Sequence, residues 1–141
     1  MGFVEYASYD GLGLAALVRE RKVSARELVD EALARIERVN PRINAVVRVM
    51  AEQARATAET SPPAGPFAGV PFIVKDFVST YAGVPMTCGC RAFRSYVPKL
   101  DSTLARRQRA SGLVIVGSSI STKKIHEARN FPATISVSRT G

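Results

Sequence analysis

The run Val70-Pro71-Phe72-Ile73-Val74-Lys75-Asp76 constrains this chain more than any other. Turn residues, Gly65-Pro66-Phe67-Ala68-Gly69, lead into it, and a short apolar β-type segment ends abruptly on a lysine and an aspartate. A second run, Leu113-Val114-Ile115-Val116-Gly117, is continuously apolar, the pattern of a strand buried on both faces. Between them, Asp101-Ser102 offers a helix N-cap, the helix runs to about Ala110, and Gly112 closes it. Strand, long loop, helix and strand in that order predict that 70–75 and 113–117 are parallel neighbours joined by a right-handed crossover. The fold class expected is therefore α/β. Lys75 stands at the mouth of the first strand. Burying an ammonium favours its neutral amine, a usable general base. The local pattern is equally that of a strand's polar exit into solvent, since lysine is rarely buried in full.

Upstream, residues 1–10 read as a loose arm ending in a candidate N-cap, Asp10. Leu12, Leu14, Ala15, Leu17 and Val18 then give a short helix one apolar face. Ser24-Ala25-Arg26-Glu27 is a capping box, followed by the stripe Leu28, Val29, Ala32, Leu33, Ile36 and Val39. This predicts a helix over 25–39, stopped by Asn40-Pro41. Ile43-Asn44-Ala45-Val46-Val47 reads as a brief extended segment, residues 50–59 as an alanine-rich helix, and Ser61-Pro62-Pro63-Ala64-Gly65-Pro66 as a linker. After Asp76, glycine, proline and hydroxyl residues dominate through Arg91. A long ordered loop beside a candidate catalytic lysine is a natural place for substrate contacts.

Composition narrows the function classes. A chain of 141 residues, 46% hydrophobic and 23% charged, suits one globular domain. Its longest apolar runs are far short of a membrane span, and its N-terminus lacks the basic and apolar regions of a signal peptide, so a cytoplasmic protein is expected. Cys88 and Cys90, one residue apart, suit neither an unstrained disulfide nor a zinc site, and a single histidine, His126, cannot build a histidine-based metal centre. No cofactor or metal is expected. The net charge of +8 is spread along the chain, and its densest cluster, Arg106-Arg107-Gln108-Arg109, has no interleaved aromatics. That is the pattern of a solvated helix face rather than a nucleic-acid site.

Several pieces in order then resemble one family. Arg35-Ile36-Glu37-Arg38-Val39-Asn40-Pro41-Arg42-Ile43-Asn44-Ala45-Val46-Val47 is similar to the N-terminal helix and exit of the amidase signature family. Residues 65–76 resemble that family's lysine motif, and Ala82-Gly83-Val84-Pro85-Met86-Thr87, Asp101-Ser102 and residues 110–117 follow in the expected order. The resemblance covers roughly residues 10–117. It implies a mixed β-sheet core covered by helices, and hydrolysis of carboxylic amides by a serine–cis-serine–lysine triad without metal or cofactor. It further implies that Lys75 is the triad lysine, with Met86, Thr87 and Cys88 as candidate substrate contacts and a small-molecule amide as substrate. Asp76 reads as a turn-stabilising carboxylate. The run of residues 80–87 is more similar to the general amidases than to the glutamyl-tRNA amidotransferase branch of the family.

The match then breaks. The family continues past the buried strand with a Gly-Lys-Thr-Asn-type turn and, further on, a glycine- and serine-rich block that carries the bridging serine. Here Gly117 is followed by Ser118-Ser119-Ile120-Ser121-Thr122-Lys123-Lys124, and no such block appears before Gly141. Ser118-Ser119 lacks flanking glycines and sits directly at the strand exit. On the 101–112 helix, Gln108 and Ser111 stand where the family usually has apolar residues. The expectation is an N-terminal part of an amidase domain over 1–117 and a divergent, disordered basic tail over 118–141. Such a piece supplies two strands of an incomplete sheet, folds marginally, self-associates through open edges, and is inactive alone. The alternative expectation is a non-enzymatic interaction module that pairs with a partner chain.

Overall fold

The computed structural model describes residues 3–60 and 64–119. Four helices, α1 (Gly11–Arg19), α2 (Ala25–Ile43), α3 (Ala51–Glu59) and α4 (Thr103–Ala110), surround three strands, β1 (Val46–Val49), β2 (Pro71–Lys75) and β3 (Val114–Ser119). The sheet order is β1-β3-β2. β2 lies parallel to β3, as the sequence predicts, and β1 lies antiparallel to it, so the sheet is mixed.

β3 is central because its sequence can be buried on both faces. Val114 and Val116 are fully buried with Val29, Leu33 and Ala54 under α2 and α3. Ile115 packs instead with Met50, Val74, Tyr81 and Ala105. A third cluster joins Leu14, Ala15, Val23, Leu28 and Val70. Each such aliphatic side chain contributes about 1.5–3 kcal/mol on burial. Two glycines permit the close approaches. Gly69 has φ +81, and a Cβ there would come within 2.8 Å of Ala25 Cβ. A Cβ on Gly117 would lie 2.5 Å from the Arg48 carbonyl oxygen across the β1–β3 pair.

The capping box forms in full: Ser24 Oγ accepts from Glu27 N–H, and the Glu27 carboxylate accepts from Ser24 N–H at 2.8 Å. Asp10 caps α1 by accepting from Gly13 N–H, and Ser102 caps α4 by accepting from Ala105 N–H.

Four sequence expectations are corrected. Residues 3–10, the described part of the expected arm, are not loose: Val4–Ser8 form a 3₁₀ turn, and Phe3 and Tyr6 pack against the Leu14–Leu28 cluster. α2 does not stop before Pro41 but runs to Ile43. Proline sits only two residues from the end, so the helix loses one hydrogen bond and still closes, with Asn44 in the left-handed region (φ 48) donating to Asn40 O at 2.7 Å. The extended segment beyond it is a true strand. Asn40 uses its amide as a surrogate backbone there, donating to Val46 O (2.9 Å) and accepting from Val46 N–H (2.8 Å). Hence the described residues form three strands of the sheet rather than two. β3 also continues through Ser118 and Ser119, past the expected end at Gly117. The rest of the expected tail, 120–141, with His126, lies outside the described residues, as do 61–63 of the linker.

Candidate functional site

β2 and β3 end together. Val74 is opposite Ser118 and Lys75 opposite Ser119, and Asp76 N–H extends the ladder by donating to Ser119 O at 3.0 Å. The chain then turns into the 77–101 loop, which folds back over the strand ends. A small cleft forms there, lined by Lys75, Asp76 and Ser118 on the strand side and by Ser79, Tyr81 and Met86 on the loop side, with Met50 and Val74 at its base.

The loop is fastened by polar contacts. Ser79 and Tyr81, both buried, donate their hydroxyls to Gln108 Oε1 on α4. This explains the polar residue at a position where an apolar one was the family habit: Gln108 satisfies two buried hydroxyls at once. Asp101 accepts from Ala82 N–H at 2.7 Å and pairs with Arg109 at 3.0 Å, while the Arg109 guanidinium lies over the Tyr81 ring. Burial raises the Tyr81 phenol above its usual range, against the opposing effects of Ser79 and Arg109. Gly83 N–H donates to Pro98 O and Met86 N–H to Tyr96 O.

At the strand end, Asp76 is buried, with 5% of its surface exposed. Its Oδ1 accepts from Thr87 N–H (3.0 Å) and its Oδ2 from Thr87 O–H (2.7 Å). Cys88 follows with φ 50 and is half-buried. Burial, then the Asp76 charge, then Cys90 push its thiol above the ordinary range. Both cysteines are free.

Of the residues singled out from sequence, Lys75 and Met86 therefore meet at one cleft. Thr87 joins them through Asp76, and Cys88 lies next in the turn. Among the described residues, Lys75 is exposed. Sequence reasoning missed the parts played by Gln108, Tyr81 and Ser118. Ser118 is buried, and its Oγ has no hydrogen-bond partner among the described residues. The signal available for Gln108 was its departure from an apolar position. Among the described residues, no three or more His, Cys, Asp or Glu side chains gather as a metal site, and no helix is long and apolar enough to cross a membrane.

A family model described as Amidase matches residues 27–123. The A-type subunit of the glutamyl-tRNA(Gln) amidotransferase of Halorhodospira halophila is 39% identical over 110 residues, which is 74% of this chain and 22% of that protein. The 6-aminohexanoate-cyclic-dimer hydrolase of Paenarthrobacter ureafaciens is 36% identical over 110 residues, 77% of this chain and 22% of that protein. A solved structure of a 6-aminohexanoate cyclic dimer hydrolase superposes with a TM-score of 0.73 at 34% identity, covering 79% of this chain and 23% of the other. The chain thus spans between a fifth and a quarter of the length of these relatives.

Proposed function

The chain belongs to the amidase family, and from that premise we propose that Lys75 is the proton acceptor of a serine–cis-serine–lysine triad acting on carboxylic amides. The observation that carries this is the position of Lys75: within the family match, at the shared end of two parallel strands, on a cleft closed by the following loop. Its neutral amine takes a proton from a bridging serine, which takes the proton of a nucleophilic serine as that serine attacks the amide carbonyl. The relay then reverses and protonates the leaving amine. The sequence holds no glycine- and serine-rich block to supply the two serines, so the chain by itself does not turn over amides. Met86, Thr87 and Cys88 are the residues assigned to the substrate's surroundings.

The relatives' names speak of an amidotransferase and of a cyclic-dimer hydrolase. The substrate class proposed here is linear or cyclic carboxylic amides, with a general amidase preferred. The experiment is a chimera in which this chain replaces the matching segment of a 6-aminohexanoate-cyclic-dimer hydrolase. Hydrolysis is expected to return and to fall by roughly 10²–10⁴-fold with Lys75→Ala. A Lys75→Ala chimera as active as its parent overturns the assignment, and amide hydrolysis by the purified 141-residue chain that is lost on Lys75→Ala overturns its inactivity.

One observation favours a second function, a non-enzymatic module that completes its sheet with a partner. Among the described residues β1 and β2 each have a single neighbour, and Phe72, Ile73, Phe77 and Val78 are exposed around β2 and its exit. A partner retained through purification at fixed stoichiometry supports it; a chain recovered alone, monomeric and soluble, removes it.

A further inference from the structure

We infer that Asp76 is a positioning residue which, through Thr87, fixes the turn bearing Met86 and Cys88 against the Lys75 end of β2. The inference rests on the proposed role of Lys75 for its functional meaning, but not for its test.

Asp76 is placed by the sheet. Its backbone is the last rung of the β2–β3 ladder, donating to Ser119 O, so its carboxylate has a defined origin one residue beyond Lys75. A carboxylate 5% exposed needs donors, and Thr87 supplies two from a single residue: the N–H to Oδ1 and the O–H to Oδ2. The remaining polar atoms of Thr87 are also engaged. Its carbonyl accepts from Cys90 N–H at 2.8 Å, and its Oγ1 accepts from Gly89 N–H at 3.4 Å. Cys88 and Gly89, with φ 50 and φ 72, turn the chain through the left-handed region directly after it. That conformation is unfavourable for a side chain such as cysteine and persists only where neighbouring contacts impose it.

Thr87 is thus the latch, and Met86 and Cys88 are what it presents. The turn reaches the cleft at Met86, while the Cys88 thiol faces the Phe77 carbonyl at 3.7 Å. The rest of the loop has its own fastenings to Gln108, Asp101, Pro98 and Tyr96, none of which involves Thr87. Breaking the latch therefore loosens the 87–90 turn without releasing the loop.

The test reads Cys88 in the full 141-residue chain by iodoacetamide alkylation, with exposed Cys90 as the internal reference and fragment mass spectra to tell them apart. Thr87→Val removes one charge-assisted donor and leaves the Asp76 charge in place. It is expected to raise the Cys88 rate relative to Cys90 by roughly tenfold, the scale of one hydrogen bond to a charged group. Thr87→Ser keeps the hydroxyl and is expected to behave as the parent; Asp76→Asn is expected to match or exceed Thr87→Val. An unchanged ratio in Thr87→Val, or a Thr87→Ser chain as labile as Thr87→Val, overturns the inference. Should a variant fail to fold, amide exchange in the parent chain decides: the Thr87 amide is expected to exchange at least about tenfold slower than in a free peptide, and exchange at the free-peptide rate overturns the latch. No substrate enters either measurement, so failure here is distinct from failure of the Lys75 assignment.

Discussion

The two sides of β3 are built by different physics. Toward α2 and α3, Val114 and Val116 lock against Val29 and Leu33, and Leu28 in the adjoining cluster is wholly buried. Toward the 77–101 loop, Ile115 packs with Met50, Val74, Tyr81 and Ala105, but much of the loop's own apolar surface, at Phe77, Val78 and Leu100, stands in solvent. Beyond Tyr81, the loop is held by a few polar fastenings, Asp76 to Thr87, Gln108 to Ser79 and Tyr81, and Asp101 to Ala82. Close packing is insensitive to which group does what but demanding about volume. Discrete hydrogen bonds are the reverse: each can be removed singly and each fixes one side chain. The candidate site lies on the second side.

Substitutions break this contrast in graded fashion. Leu28→Ala should have the largest effect, a loss of about 2–5 kcal/mol by denaturant unfolding, because the helical side cannot collapse around the void. Gln108→Leu should cost about 1–3 kcal/mol by leaving the buried Ser79 and Tyr81 hydroxyls without their acceptor, despite restoring an apolar residue. A Gln108→Leu chain as stable as the parent would mean that packing, not polarity, holds the loop. Ser24→Ala, which removes the cap of α2 on the packed side, should cost typically about 1 kcal/mol in the same measurement.

The smallest effect is a pH slope. Burial acts to raise the Asp30 carboxyl, but hydrogen bonds from Arg55 and Arg26 outweigh it and hold the pKa below the usual range. The unfolded chain therefore takes up the proton at a higher pH than the folded one. The contribution is present above the unfolded carboxylate's pKa and is lost as pH falls through the folded value. Thermal melts across the acid range should show this decline, shallower in Asp30→Asn. Asp30 is 41% exposed, so the slope should be slight and weaken with salt.

What was legible in the sequence tracks the same division. The capping box, the stripe of α2 and the continuous apolar run of β3 are local patterns, and they predicted both the α/β class and the parallel β2–β3 pair. β1 was seen only as extended, because a four-residue strand with alternating burial declares itself only once its partner is in place. Lys75 was visible as a polar residue closing an apolar run. Asp76 was read as a turn-stabilising carboxylate, but nothing in the sequence pairs it with Thr87, since that bond exists only after the loop has folded back. Helix α2 outlasted Pro41 for a similar reason: the Asn40 side chain reaches Val46, a contact that propensity does not encode.

That Asn40 contact also makes the sheet's two borders unequal. On β1 the rim presents Val46 with its donor and acceptor already taken by the Asn40 amide. A foreign strand arriving there finds no template at the first rung and a strand only four residues long. On β2 no comparable side-chain plug exists among the described residues. Of the two borders of the described sheet, the one at β1 is therefore blunted by a side chain, and the one at β2, which ends in Lys75, is the more open to pairing.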